Sequence, residues 1–189
     1  MGPVAQAAAG GYLGVSPDYL GLGYEPGTHP YFDIPTEATA SVDMLTATRS
    51  FAASGRHTVS NSSLVAGFSQ GASAALATAQ AVEQDANSPW RVRALAPISG
   101  AYDITGAEIP AVFAGVIPQP IAVYYVTYLL VAANPIHHLY DATSGIFRAP
   151  YASRVRTLFG SNVTEQHLMA ALPQTLDELL TPPRYGAGA

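Results

Sequence analysis

The stretch that decides the fold reads Leu64-Val65-Ala66-Gly67-Phe68-Ser69-Gln70-Gly71, and an alanine-rich run to Gln84 follows it. The apolar residues before the serine predict a buried strand, and the run from about Gly71 to Gln84 predicts a helix. The serine falls on the sharp turn between these two elements, where its hydroxyl group would point out of the sheet. The sequence therefore predicts a strand–turn–helix unit of a parallel α/β sheet.

The turn itself carries the pattern Gly-x-Ser-x-Gly, which is typical of a nucleophile elbow. In that arrangement Ser69 is the candidate nucleophile, and the main-chain N–H of Gln70 is the candidate oxyanion donor at the start of the helix. We expect the turn to crowd Gly67 and Gly71, where glycine fits because it has no Cβ. The alternative is a glycine-rich strand-to-helix turn of another α/β protein. A phosphate-binding loop is less favoured, because no Gly-Lys-Ser/Thr follows.

Elements on both sides of this turn extend the same alternation of strands and helices. Residues 12–16 predict a buried strand, and a helix capped by Thr36 is expected to run to about Ser54. Residues 92–99 predict a third strand. The order strand, helix, strand, helix, strand indicates a parallel sheet with helices on its faces. An alanine-rich helix fragment, 4–9, and a long irregular loop, 17–35, complete this half.

The second half of the chain has a different pattern, with helical runs, proline breaks and no clear strand. Its most apolar stretch, 109–133, is broken by prolines, and its clean run from Ile121 to Ala133 is too short to cross a bilayer. We therefore divide the chain into a core at 1–106, a helical cap or lid at 107–180, and a tail at 181–189.

Composition excludes several classes of function. The net charge is −5, and all eight basic residues are arginine, so no basic stripe indicates a nucleic-acid partner. The absence of cysteine excludes disulfides, thiolate metal sites and a cysteine nucleophile. The five histidines are scattered without zinc-ligand spacing, so no metal site is predicted.

A serine nucleophile requires a base, and the base requires an acid that orients it. His137, His138 and His167 follow Ser69, but none of them follows a predicted strand. Asp103 lies just past the third predicted strand, where some hydrolases carry their acid, although aspartate is also common at such turns. We favour a surface or cap role for each histidine and a structural role for Asp103.

At this point the sequence resembles the secretory lipase family of α/β-hydrolases. The resemblance covers roughly residues 4–182, is most specific over 17–71, and includes the residues 96–103 that follow the third predicted strand. It implies a hydrolase of carboxylic esters, often acylglycerols, that acts through an acyl-enzyme on Ser69 with the Gln70 amide as oxyanion donor. It implies no metal and no organic cofactor. Relatives of this kind are often exported, but residues 1–9 carry no signal-peptide pattern.

Departures from the family pattern lead to a further set of expectations. The strands that carry the family's acid and base have no matching positions here, so we expect a partial fold that is weakly active or inactive alone. Strand edges left open would favour self-association. Two alternatives remain: a non-catalytic remnant that binds acyl groups, and a miniature hydrolase that uses Asp103 with His137, His138 or His167.

Overall fold

The computed structural model describes residues 2–24, 27–159 and 163–182. The chain divides into two compact units. The first unit comprises Met1–Gly23 and Phe32–Tyr102, and the second comprises Tyr24–Tyr31 and Asp103–Ala189. The predicted tail at 181–189 lies outside the described residues from position 183 onward.

The first unit contains a parallel pair of strands, β1 (Ser62–Phe68) and β2 (Arg91–Ile98). In their register Leu64 lies opposite Ala94 and Phe68 lies opposite Ile98. Helix α3 (Gln70–Gln84) connects the two strands. The predicted strand–turn–helix–strand order around Ser69 is therefore confirmed, with element ends shifted by one or two residues.

Helix α3 packs against both strands and against α2 (Ile34–Ser54). Small side chains make this possible, because alanine lets the main chains of neighbouring elements approach closely. Helix α2 begins two residues before the predicted cap at Thr36, with Asp33 as its N-cap residue and a proline in its first turn. A short helix α1 (Pro3–Ala9) precedes these elements. The buried residues of α3 are Ala72, Ser73, Ala74, Ala75, Thr78, Ala79 and Val82.

The buried strand predicted at residues 12–16 is wrong. This segment has no regular secondary structure, and both Tyr12 and Leu13 are exposed. A parallel strand is stable only when a neighbouring strand completes its hydrogen-bond ladder. Among the described residues the sheet has only β1 and β2, so apolar composition alone did not make residues 12–16 a strand.

One face of the two-stranded sheet is uncovered within the described chain. Leu64 is 54% exposed, Phe68 70% and Ile98 55%, and the strand register places them on the same side. Each strand also has one edge that no other described strand pairs with. An uncovered apolar face and unpaired strand edges favour association between protein molecules. Self-association through open edges stays a prediction.

The second unit is helical and has its own apolar core. Its longest helix is α5 (Gln119–His137), and no helix among the described residues is both long and apolar enough to cross a membrane. Phe147, Leu179 and Val123 are buried at the centre of the core. The other helices are α4 (Ile109–Phe113), α6 (Val155–Leu158), α7 (Glu165–Ala171) and α8 (Leu176–Leu179), with a π-helical turn at Ile104–Glu108 and 3-10 turns at Thr143–Gly145 and Tyr151–Ser153.

Within the second unit, aromatic rings join its long helix to the segment Tyr24–Tyr31. Tyr128 on α5 stacks on Tyr31, with ring centroids 4.3 Å apart and an interplanar angle of 4°. His29 meets both rings edge-on at 6.3 Å. Burial raises the pKa of Tyr128 to about 12, so its phenol stays protonated at ordinary pH.

Candidate active site

Ser69 occupies the turn between β1 and α3 with φ 55° and ψ −124°. Non-glycine residues rarely adopt positive φ, and such a conformation costs about 1–3 kcal/mol. Hydrogen bonds hold the turn on both sides. The N–H of Ser69 donates to Ile98 O at 3.0 Å, and Ser69 O accepts from Ala72 N at 2.9 Å. The sheet and the helix together therefore maintain a strained serine.

Crowding at this turn is confined to one of the two glycines. A Cβ atom at position 67 would overlap the carbonyl group of Gly71 and would lie 2.8 Å from Ala72 N. A Cβ atom at position 71 would meet no atom within 4 Å. The expectation that both glycines are crowded is therefore wrong for Gly71. The main chain of Gly71 crowds position 67, but a Cβ atom at position 71 itself would have open space.

Gln70 is the first residue of α3, directly after the candidate nucleophile. The first N–H groups of an α-helix have no acceptor within the helix, and the helix dipole places partial positive charge there. The main-chain N–H of Gln70 belongs to this group. The start of α3 is therefore a suitable place to stabilise negative charge that develops on an oxygen atom next to Ser69.

The side chain of Gln70 reaches a buried carboxyl group on α2. Its Nε2 donates to Glu37 Oε1 at 2.6 Å, and Glu37 is 0% exposed. Burial raises the pKa of Glu37, and hydrogen bonds from Gln70 and from the main chain of Phe32 oppose that rise. Sequence analysis missed Glu37, because a glutamate in the first turn of a helix is usually an exposed group.

Burial of Glu37 predicts a pH dependence of stability. Because the folded-state pKa lies above the ordinary value of 4.5, the folded chain holds this proton more tightly than the unfolded chain. Stability is therefore lost as pH rises from 4.5 through the raised pKa. Glu37→Gln removes the titrating group, so its melting temperature relative to the wild type should increase with pH across this window. A flat or falling difference in thermal melts would contradict the assigned burial.

The described residues of the first unit place no histidine next to Ser69. Of the five histidines, only His57 belongs to this unit. It lies before β1, whereas Ser69 lies after that seven-residue strand, which spans about 20 Å at 3.3 Å per residue. The Ser69 hydroxyl makes no hydrogen bond to any other residue in the described part of the chain. A histidine base for Ser69 would therefore have to come from outside the first unit.

The remaining candidate acid and bases belong to the second unit, where all four side chains are exposed. His137 is the last residue of α5 and His138 is its left-handed C-cap, whereas His167 lies on α7. The Asp103 carboxylate accepts from Gly106 N at 2.8 Å and caps the π-helical turn. This contact is the structural role that the sequence favours for Asp103.

Residues 2–24, 27–159 and 163–182 contain no cluster of three or more histidine or acidic side chains that would hold a metal ion. The acidic groups named above are hydrogen-bonded to other protein groups, Glu37 to Gln70 and Asp103 to Gly106. The arrangement around Ser69 places a hydroxyl group directly before the N–H groups that begin helix α3.

Solved structures similar to this chain are hydrolases and esterases. A protein of Legionella pneumophila that is described as a hydrolase matches 95% of this chain and 48% of its own, with a TM-score of 0.79 and 28% sequence identity. The rice cell wall degrading esterase LipA of Xanthomonas oryzae matches 87% of this chain and 45% of its own, with a TM-score of 0.76 and 28% identity. A ligand-bound form of that esterase gives a TM-score of 0.72 at 27% identity.

No protein-family model matches the chain, and no curated protein matches it. The chain spans less than half the length of the solved structures cited above. Their likeness to its parallel strands and flanking helices confirms the predicted partial α/β-hydrolase fold. The hydrolase and esterase resemblance is thus shown at the level of fold.

Proposed function

We propose that this chain belongs to a hydrolase of carboxylic esters that acts through an acyl-enzyme on Ser69. The observation that carries the proposal is the conformation of Ser69, at φ 55° on a turn between a strand and a helix. This backbone conformation is energetically unfavourable, and it occurs at the serine that directly precedes the first residue of helix α3. Strain of this kind concentrates at functional sites.

In the proposed reaction, Ser69 Oγ attacks the carbonyl carbon of an ester while its proton passes to a base. The tetrahedral intermediate places negative charge on the former carbonyl oxygen, where the Gln70 N–H donates a hydrogen bond. The C–O bond to the alcohol then breaks, the alcohol leaves with a proton, and the acyl group stays on Ser69. Water attacks the acyl-enzyme, which releases the acid and restores the hydroxyl group.

The proposed reaction requires a base that accepts the Ser69 proton. It comes either from His137, His138 or His167 of the second unit, as in the miniature-hydrolase alternative, or from residues outside this sequence. The prediction that the acid and base lie outside these 189 residues stays a prediction. On that account the chain alone turns over slowly, since serine hydrolases without a complete triad retain only about 10³- to 10⁴-fold acceleration over water.

The finer features of the proposal rest on the sequence. Residues 17–71 resemble the secretory lipase family, which favours acylglycerols or medium-chain esters as substrates. The apolar helix α5 is the proposed lid, and its tyrosines and aliphatic residues suit an acyl chain better than a polar group. The LipA esterase is described as degrading rice cell walls, so an ester of a polysaccharide is the other substrate class to be tested.

Activated esters test the proposal directly. We expect p-nitrophenyl esters to acylate the chain even without a histidine base, because buffer base at alkaline pH accepts the Ser69 proton and the p-nitrophenolate leaving group needs no proton to depart. Deacylation depends on a base to activate water, so the burst should approach one equivalent and be followed by slow turnover. A series of acyl lengths, with matched p-nitroanilides as controls, is to be followed by stopped-flow absorbance and intact mass. Folded protein that gains no acyl group would overturn the proposal.

A second candidate function is the binding of acyl groups without hydrolysis. It is favoured by the lack of a base near Ser69 in the first unit and by the exposed apolar face that includes Leu64, Phe68 and Ile98. A fatty acid that binds in titration calorimetry, together with a p-nitrophenyl ester that gives no acyl-enzyme, would support this function instead of catalysis.

A further inference from the structure

We propose that Glu37 is a positioning residue for the oxyanion donor: its buried carboxyl group holds the Gln70 side chain and thereby fixes the Gln70 main-chain N–H beside Ser69. This inference rests on the proposed function. It assigns a role to a residue on α2, a helix that carries none of the groups named in the proposed reaction.

The contact is direct and is made by a fully buried group. Gln70 Nε2 lies 2.6 Å from Glu37 Oε1, and the two residues are 33 positions apart in sequence. A buried carboxyl group is costly unless it is hydrogen-bonded, because water is no longer available to solvate it. The arrangement is therefore retained at a cost in stability that simple packing would not require.

The Glu37 carboxyl group has a second hydrogen-bond partner besides Gln70. It receives a hydrogen bond from the main chain of Phe32, which has φ 60°. Tyr19 lies near this carboxyl group; burial raises the pKa of Tyr19, and the charge of the carboxyl group adds to that rise. A carboxyl group supported in this way is a rigid acceptor, as a supporting residue behind a reactive group must be.

The position of Gln70 at the start of its helix explains why its main chain needs an anchor. Gln70 is the first residue of α3, where the helix has no preceding turn to hold its main chain. Its side chain, anchored to α2, supplies the missing restraint on the residue whose N–H is the proposed donor. Loss of the anchor would let that N–H move, and small displacements of oxyanion donors have large effects on rate.

The test uses three variants of the 189-residue chain. Glu37→Leu removes the acceptor at similar volume, Glu37→Gln keeps an acceptor oxygen without the charge, and Gln70→Leu removes the donor. The Glu37→Leu/Gln70→Leu double variant completes a cycle. For each folded variant we would measure the rate of Ser69 acylation by a p-nitrophenyl ester and the free energy of unfolding in urea.

We expect Glu37→Leu to slow acylation about 10-fold, less than the loss of about 10²–10³ for complete removal of an oxyanion donor, because the Gln70 N–H is displaced and not removed. Glu37→Gln should restore most of the rate, and the double variant should be no slower than Gln70→Leu, since both changes break the same contact. A structural role alone would change unfolding and leave the acylation rate of folded protein unaltered.

Two other outcomes are distinguishable. If the wild type is acylated and Glu37→Leu is acylated equally fast, the positioning role is wrong and the proposed function stands. If the folded wild type is not acylated at all, the proposed function is wrong and the positioning role falls with it. In either case a coupling energy near zero between positions 37 and 70 in the unfolding cycle would show that the contact is not made.

Discussion

Ser69→Ala is expected to remove the acylation burst with p-nitrophenyl esters completely. Ser69 is the proposed nucleophile, and loss of the nucleophile in serine hydrolases lowers kcat by up to about 10⁶. Alanine keeps the Cβ atom, and its main chain can still donate to Ile98 O and accept from Ala72 N at this turn. The thermal melt should therefore stay close to that of the wild type while the intact mass shows no acyl group.

Ser99→Ala is the matched control for this change. Ser99 follows β2 as Ser69 follows β1, and it also has positive φ, at 54°. It differs because no helix begins at the next residue. The burst of Ser99→Ala should match that of the wild type, since backbone strain alone does not make a nucleophile. Equal bursts in wild type and Ser69→Ala would show that acylation occurs at another group.

Gly67→Ala is expected to have the largest effect on folding. The added Cβ atom would overlap the main-chain carbonyl group of Gly71. No side-chain rotation can relieve this overlap, because both the Cβ atom and the carbonyl group are fixed by the main chain. We expect a loss of about 3 kcal/mol or more in the free energy of unfolding, at or above the upper end of what overpacking usually costs. Urea denaturation followed by circular dichroism measures this loss. An insoluble Gly67→Ala variant would also support the prediction, provided that the control variant folds.

Gly71→Ala supplies that control, because the same atom is added four residues away. Position 71 has open space for a Cβ atom and lies within α3. Alanine has a higher helix propensity than glycine, so stability should be unchanged or raised by up to about 1 kcal/mol. A Gly67→Ala midpoint within error of the wild type would contradict the geometry described for the turn.

Local signals in the sequence predicted the centre of the first unit. The apolar run before Ser69 and the alanine-rich run after it each specify one element, and the glycine at 67 marks the turn between them. These features depend on neighbours in sequence. The strand at residues 92–99 was predicted on the same grounds, and its pairing with β1 gives it a complete ladder on one side.

Features that depend on distant residues could not be predicted in this way. Residues 12–16 have the composition of a strand, but strand formation requires a partner that composition does not identify. The contact between Glu37 and Gln70 joins positions 33 residues apart, and nothing in either local pattern indicates it. The unequal crowding of Gly67 and Gly71 likewise depends on how α3 departs from β1.

The most direct test of Ser69 as the nucleophile is the location of a fluorophosphonate adduct. The folded chain would be treated with excess reagent for an extended time, digested, and mapped by mass spectrometry. The account predicts that the peptide containing Ser69 carries the adduct and that peptides with other serines do not, because Ser69 is a half-buried serine at positive φ directly before the first N–H groups of a helix. Adducts spread over other serines, or none at Ser69 in folded protein, would contradict the assignment of this turn as a nucleophile elbow.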